Sequence, residues 1–240
     1  MPKANIPKTL AGPRRVGLPV PTLVVELENL AFGGRKLVYD AMKGVLADKG
    51  AKLDLPAFSR YCVNVTLDQG LPALLKAVGK PRLASAKLLE EIEGRVKVAL
   101  AQTDRQPHPA FVKLLKAAQA RGWRVGAVSD LDAVTAPLLM AKLGLTDHKS
   151  LLARTSAGRN TTDAHAWRTL AKHLGVPSIS CVAVVTSSDA SYAALAADMD
   201  CAAIPDTFTT FGDFGGANLV AEKLDAAAIA AILSLGIRQA

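Results

Sequence analysis

The chain has 240 residues, a formal net charge of +8, 50% hydrophobic residues and 21% charged residues. That length buries a real core in one domain with an insertion or in two small domains, and the composition excludes an intrinsically disordered chain. No uncharged apolar run approaches the ~18 residues of a membrane span, and three cysteines are too few and too odd for a disulfide scaffold.

In chain order, residues 1–21 form a basic, proline-rich arm. Residues 1–25 hold Lys3, Lys8, Arg14 and Arg15 and no acid, and Pro2, Pro7, Pro13, Pro19 and Pro21 favour extended backbone. The arm reads either as a solvated tail or as a segment that lies on an acidic partner, such as RNA, a lipid headgroup layer or another subunit. Its charge matches a mitochondrial presequence, but its prolines oppose the amphipathic helix such a signal needs. No apolar secretory segment is present. Cys181 and Cys201 sit in strand-like runs, so the cysteines read as reduced core thiols of a cytoplasmic protein, with the mitochondrial matrix as the alternative.

The run Leu23-Val24-Val25-Glu26-Leu27-Glu28 predicts a buried parallel strand with two acids at its carboxyl end. Residues 36–106 predict a wholly helical insert, with segments near 36–49, 56–64, 70–78 and 84–101. Alternation then resumes. Helices are expected near 110–121, 132–143, 163–174, 189–198 and 225–234, and strands at 123–129, 179–185 and 201–205. This is an α/β chain with a Rossmann-like parallel sheet and helices on both faces. Its core comprises 22–35 and 107–240. Polar strand ends at Glu26, Glu28, Ser129 and Thr186 should converge on one crevice, because ligands bind such sheets at the carboxyl ends of the strands.

Three stretches are similar to the haloacid dehalogenase superfamily, in its phosphoglycolate phosphatase and β-phosphoglucomutase branch. Residues 109–130 (Pro-Ala-Phe-Val-Lys-Leu-Leu-Lys-Ala-Ala-Gln-Ala-Arg-Gly-Trp-Arg-Val-Gly-Ala-Val-Ser-Asp) resemble the helix and strand that lead to its second motif. Residues 170–176 (Leu-Ala-Lys-His-Leu-Gly-Val) and 181–199, which begin Cys-Val-Ala-Val-Val-Thr-Ser-Ser-Asp, resemble the approach to its fourth motif and the helix beyond. The resemblance spans 22 to about 206 and places the helical insert where that branch carries its cap.

The resemblance also implies a set of site residues. The first motif, DxDGT, supplies a nucleophilic Asp and an acid/base Asp; here the aligned stretch is Glu26-Leu27-Glu28-Asn29-Leu30. The extra methylene of Glu26 displaces a nucleophilic oxygen by roughly an ångström, and misplacement on that scale can cost 10²-fold. Ser129 matches the phosphate-holding Ser or Thr of the second motif. Arg159 best matches the third-motif Lys, with Arg154 as a second candidate, and a guanidinium fork is not equivalent to a compact ammonium. The fourth motif's Mg²⁺-binding acids are replaced by Val185-Thr186. Asp189 could reach back to a metal or could cap the next helix.

Each of these residues also has a structural reading. Glu26 and Glu28 could pair with Arg159 or Lys172, and Ser129 could cap the helix near Asp132. His108, His148, His165 and His173 lack metal spacing. Gly33-Gly34 and Gly215-Gly216 lack the context of a dinucleotide loop, and Trp123 and Trp167 read as core. Half of the six Phe fall in the loop Phe208–Phe214, which either packs internally or meets a partner.

Two functional readings follow. The first is a catalytically degenerate protein of this fold, without a cofactor, that binds a partner through the basic arm, the phenylalanine loop or the cap. The alternative is a Mg²⁺-dependent phosphatase of small phosphate esters. It would use Glu26 as nucleophile and Glu28 as acid/base. Glu26, Glu28 and Asp189 would hold the metal, with Ser129 and Arg159 on phosphate.

Overall fold

Every residue of the first strand, β1 (Thr22–Glu26), is buried, which a strand achieves only when both faces of its sheet are covered. The structure is a computed structural model that describes residues 20–236 apart from 64, 103 and 155–157. The arm residues Lys3, Lys8, Arg14 and Arg15 lie outside the described residues.

β1 pairs in parallel with β2 (Arg124–Asp132) on one side and β4 (Cys181–Val185) on the other. β3 (Leu151–Arg154) extends the sheet beyond β2, and β5 (Asp200–Ala203) and β6 (Leu219–Val220) extend it beyond β4. The six strands run β3-β2-β1-β4-β5-β6, all parallel. The strand order reverses between β1 and β4, so their carboxyl ends, at Glu26 and Thr186, flank the switch point where such sheets open a crevice.

Side-chain alternation splits the strands between two apolar layers. Leu23, Val25, Ala127, Val182 and Val184 face one layer with α6 (Pro109–Ala120), α7 (Thr135–Lys142) and α10 (Ala226–Leu235). Val24, Val128, Ala183 and Val185 face the other, with α8 (Ala164–His173) and α9 (Ser188–Ala196). Gly126 on β2 serves this second layer, because a Cβ there would lie 2.8 Å from Leu174 Cδ1.

β1 runs directly into α1 (Leu27–Phe32). Glu28 is therefore helical, and the expectation that both acids extend a strand is corrected. The insert consists of α2 (Gly34–Asp48), α3 (Leu55–Cys62), α4 (Leu67–Ala77) and α5 (Ser85–Ala101). Met42, Phe58, Leu74 and Ile92 from these helices join the same apolar cluster as Leu23 and Phe111. The insert thus shares its core with the sheet.

Cys62, Cys181 and Cys201 are buried free thiols, and for Cys181 and Cys201 the strand-like runs around them predict the burial. Burial pushes Cys62 and Cys181 up to about 12 and Cys201 up to about 11. Among the described residues no helix is long and apolar enough to cross a membrane. All four histidines are exposed, and Trp123 and Trp167 are buried.

Candidate functional site

Glu26 ends the central strand and is fully buried. Its Oε2 accepts from the Thr186 amide and the Thr186 hydroxyl, each at 2.7 Å. Its Oε1 accepts from Asn29 Nδ2 and from an Arg35 guanidinium nitrogen at 3.2 Å. A carboxylate offers about four lone-pair directions, so these four donors satisfy it completely.

Arg35 is the unexpected member of this group. Gly33 adopts φ +64° and serves both as the last cap of α1 and the first of α2. A side chain rarely takes that conformation, and the glycine permits the sharp junction between the two helices. A Cβ on Gly34 would come within 3.1 Å of Glu28 Cβ and Asn29 Oδ1, so both glycines serve the close junction. The next side chain, Arg35, points inward and is 6% exposed. Its guanidinium meets Glu26, donates to Thr186 Oγ1 at 3.0 Å and pairs with the Asp206 carboxylate.

Asp206 is held in turn by the loop after β5. It accepts from the Phe208 amide, and Thr209 Oγ1 donates to the Thr186 carbonyl at 2.6 Å.

Glu28 occupies a separate buried compartment. Its carboxyl accepts from Ser129 Oγ and from the Asp130 amide, each at 2.8 Å. Burial first, and the nearby Asp130 charge second, raise its pKa to about 7 against the pull of these hydrogen bonds. Ser129 lies within β2 and also accepts from the Leu131 amide. It does not cap α7. The N-cap position of α7 is Val134, which makes no side-chain cap, and Asp132 accepts from the Val134 and Thr135 amides in the turn that leads into the helix.

Arg159 pairs with Asp130 at 2.9 Å and donates to the Val63 carbonyl of the insert at 2.6 Å. Burial opposes its charge, but Asp130, with Glu26 and Glu28 behind it, outweighs burial and raises its pKa. Asp130 also accepts from the Thr161 amide and hydroxyl. The expected pairing of Glu26 or Glu28 with Arg159 or Lys172 is therefore corrected. Arg35 takes Glu26, Asp130 takes Arg159, and Lys172 is exposed at the end of α8.

A cavity of about 610 Å³ opens between the sheet and the insert. Its polar lining includes Glu28, Arg35, Asp130, Arg154 and Arg159, and its apolar wall includes Val38, Phe58, Leu89 and Leu100. Such a volume suits a small molecule. Glu26, Ser129 and Thr186 do not line it. The crevice expected among these strand ends is thus split: Glu28 and Arg159 reach the cavity, whereas Glu26, Ser129 and Thr186 are sealed beneath it.

Mg²⁺ demands anionic oxygens in an octahedral array, and the residues present do not fit it. Glu26 has no acceptor capacity left, and the Arg35 cation already stands beside it. The Glu28 carbonyl accepts from the Gly33 amide. Thr186 brings no charge. Asp189 lies in the first turn of α9, where Ser187 rather than Asp189 is the cap. Among the described residues no group of three or more His, Cys, Asp and Glu is placed to hold a metal ion.

Sequence reasoning missed Arg35 and Asp206. In the sequence Arg35 is one of two adjacent basic residues opening an amphipathic helix, and its neighbour Lys36 is exposed and pairs with Asp40. Nothing in the spacing separates the two.

No family model matches the chain, and no curated protein matches it. Solved structures do. CbbY from Rhodobacter sphaeroides, in complex with phosphate, superposes with a TM-score of 0.70 at 16% identity over 88% of this chain and 99% of that one. A haloacid dehalogenase-family hydrolase from Deinococcus radiodurans with bound phosphate and sodium gives 0.70 at 20% identity, covering 92% and 98%. β-Phosphoglucomutase from Clostridium difficile gives 0.66 at 15% identity, covering 91% and 98%. The chain has the haloacid dehalogenase-like fold of these proteins.

Proposed function

We propose that this chain is a non-hydrolytic protein of the haloacid dehalogenase-like fold that serves as a binding or structural subunit. The observation that carries the reading is the complete satisfaction of Glu26. A nucleophile needs an unshared lone pair aimed at the reacting atom, whereas both oxygens of Glu26 are taken and the group is buried. The cavity between sheet and insert is the proposed ligand site. The basic arm with Lys3, Lys8, Arg14 and Arg15, together with the exposed Phe211, is the proposed partner-binding element. The three buried thiols suit a reducing compartment, the cytosol or a mitochondrial matrix. Incubation with small phosphate esters and Mg²⁺ is expected to show no turnover above background. Turnover abolished by Glu26→Gln would overturn this reading.

The second reading is a Mg²⁺-dependent phosphatase or phosphotransferase; the similar structures include a hydrolase with bound phosphate and sodium and a β-phosphoglucomutase. The observation that favours it is Glu28, a cavity-lining carboxyl with a pKa near 7, which suits a group that gives and takes protons at neutral pH. It requires Mg²⁺ or a phosphate mimic within coordination distance of Glu26 in a soaked crystal.

A further inference from the structure

We infer that Arg35 is a resident internal cation, fixed among oxygen ligands that would otherwise take a hard divalent metal. Its guanidinium is bracketed by the Glu26 carboxylate, the Thr186 hydroxyl and the Asp206 carboxylate. Glu26 and Thr186 are almost inaccessible, and the Asp206 side chain is 29% exposed. Two carboxylates and a hydroxyl facing one cation form a hard-oxygen donor set, the kind that Mg²⁺ and Ca²⁺ prefer.

The position of Arg35 on its own helix supports this assignment. It is the second residue of α2, where the helix macrodipole disfavours a positive side chain. Local helix energetics therefore do not account for an arginine there. The acids beneath it do. A guanidinium can donate to several oxygens in fixed directions, and here it serves three acceptors at once.

The wild-type protein accordingly needs no metal at this place and has no room for one. Removing the side chain leaves two carboxylates around a void the size of a guanidinium, with an uncompensated buried charge. A small divalent cation with its waters then restores the balance. The variant should have a metal site that the native chain has closed.

This inference rests on the surroundings of Arg35 and not on the proposed lack of hydrolysis, and its readouts are melting and refolding. Wild-type protein is expected to melt at the same temperature with EDTA, with 10 mM Mg²⁺ or with 10 mM Ca²⁺. Arg35→Ala is expected to melt lower in EDTA and to gain about 5 °C or more with one of these cations, the size expected when free metal is near a hundredfold above Kd. Arg35→Lys keeps a cation in place and should remain indifferent to metal. Glu26→Gln/Arg35→Ala removes one buried charge and should lose the response. If Arg35→Ala does not stay folded, its refolding yield with and without metal replaces the melt. A wild-type protein stabilised by metal overturns the inference, as does an Arg35→Ala variant that melts or refolds no better with metal. A double variant as responsive as the single one also overturns it.

Discussion

Arg159 joins the sheet to the helical insert: its guanidinium pairs with Asp130 at 2.9 Å and reaches the Val63 carbonyl at 2.6 Å. Asp130 is fastened from its other side by Thr161. The insert therefore sits on the cavity rim through a charged contact that requires a fork, because one guanidinium serves a side chain and a backbone acceptor in different directions. Arg159→Ala leaves Asp130 short of its cation and should lower stability by about 2–4 kcal/mol. Arg159→Lys should recover only part of this. Urea denaturation measures both, and hydrogen exchange should quicken around residues 58–70 in the Ala variant.

Glu28 makes folding stability depend on pH. Its folded pKa, about 7, lies above the ordinary 4.5, so the native state holds the proton more tightly than the unfolded chain. The resulting stabilisation is fully present below pH 4.5 and is lost as pH rises through 7. The loss from this one group amounts to at most about 3 kcal/mol. Glu28→Gln, which keeps a hydrogen-bonding head of the same size, should flatten the stability profile over that window. It should be more stable than wild type at pH 8. Denaturation series at pH 4.5, 6, 7 and 8 would test this, and an unchanged slope would refute it.

The phenylalanine loop divides its residues between packing and solvent. The Phe208 ring lies 5.2 Å from Phe58 and 5.4 Å from Tyr39, linking the loop after β5 to α2 and α3. Phe214 is half-buried against the second apolar layer, and Phe211 is 69% exposed. Phe208→Ala should cost about 3–5 kcal/mol. Phe211→Ser should change stability by less than about 0.5 kcal/mol while weakening partner binding, as measured by thermal melts and by co-purification.

The basic arm is expected to act in binding rather than folding. Deleting residues 2–18 should leave the melting temperature nearly unchanged, because the described sheet begins at Thr22 and buries its own faces. Association with an acidic partner or sister subunit should weaken, and the difference from the full chain should shrink as salt screens the charges. Unfolding of the shortened chain would place the arm within the fold.

Much of the architecture is written in local pattern. The centres of β1, β2 and β4, Leu23–Val25, Val125–Val128 and Cys181–Val185, are uninterrupted by polar side chains because both faces of a parallel sheet are covered, and this distinguishes them without any knowledge of the partner strands. The expected helices 110–121 and 163–174 correspond to Pro109–Ala120 and Ala164–His173, since a helix repeats its apolar face over several turns. β3, with four residues, and β6, with two, are too short to show a period. Their assignment came only from pairing with neighbours. Glu26 was legible as a polar strand end, and Glu28 and Arg159 as groups near one crevice. What Glu26 touches was not. Successive residues of a helix point about 100° apart, so of two adjacent basic residues one turns inward and the other outward. That choice for Arg35 and Lys36 is made by the bend at Gly33 and by Asp206, which lies 171 residues further along the chain. Residue type and local spacing determined that a charged strand end would exist. Only the packing of three distant segments decided that its counter-ion would be an arginine of the chain itself.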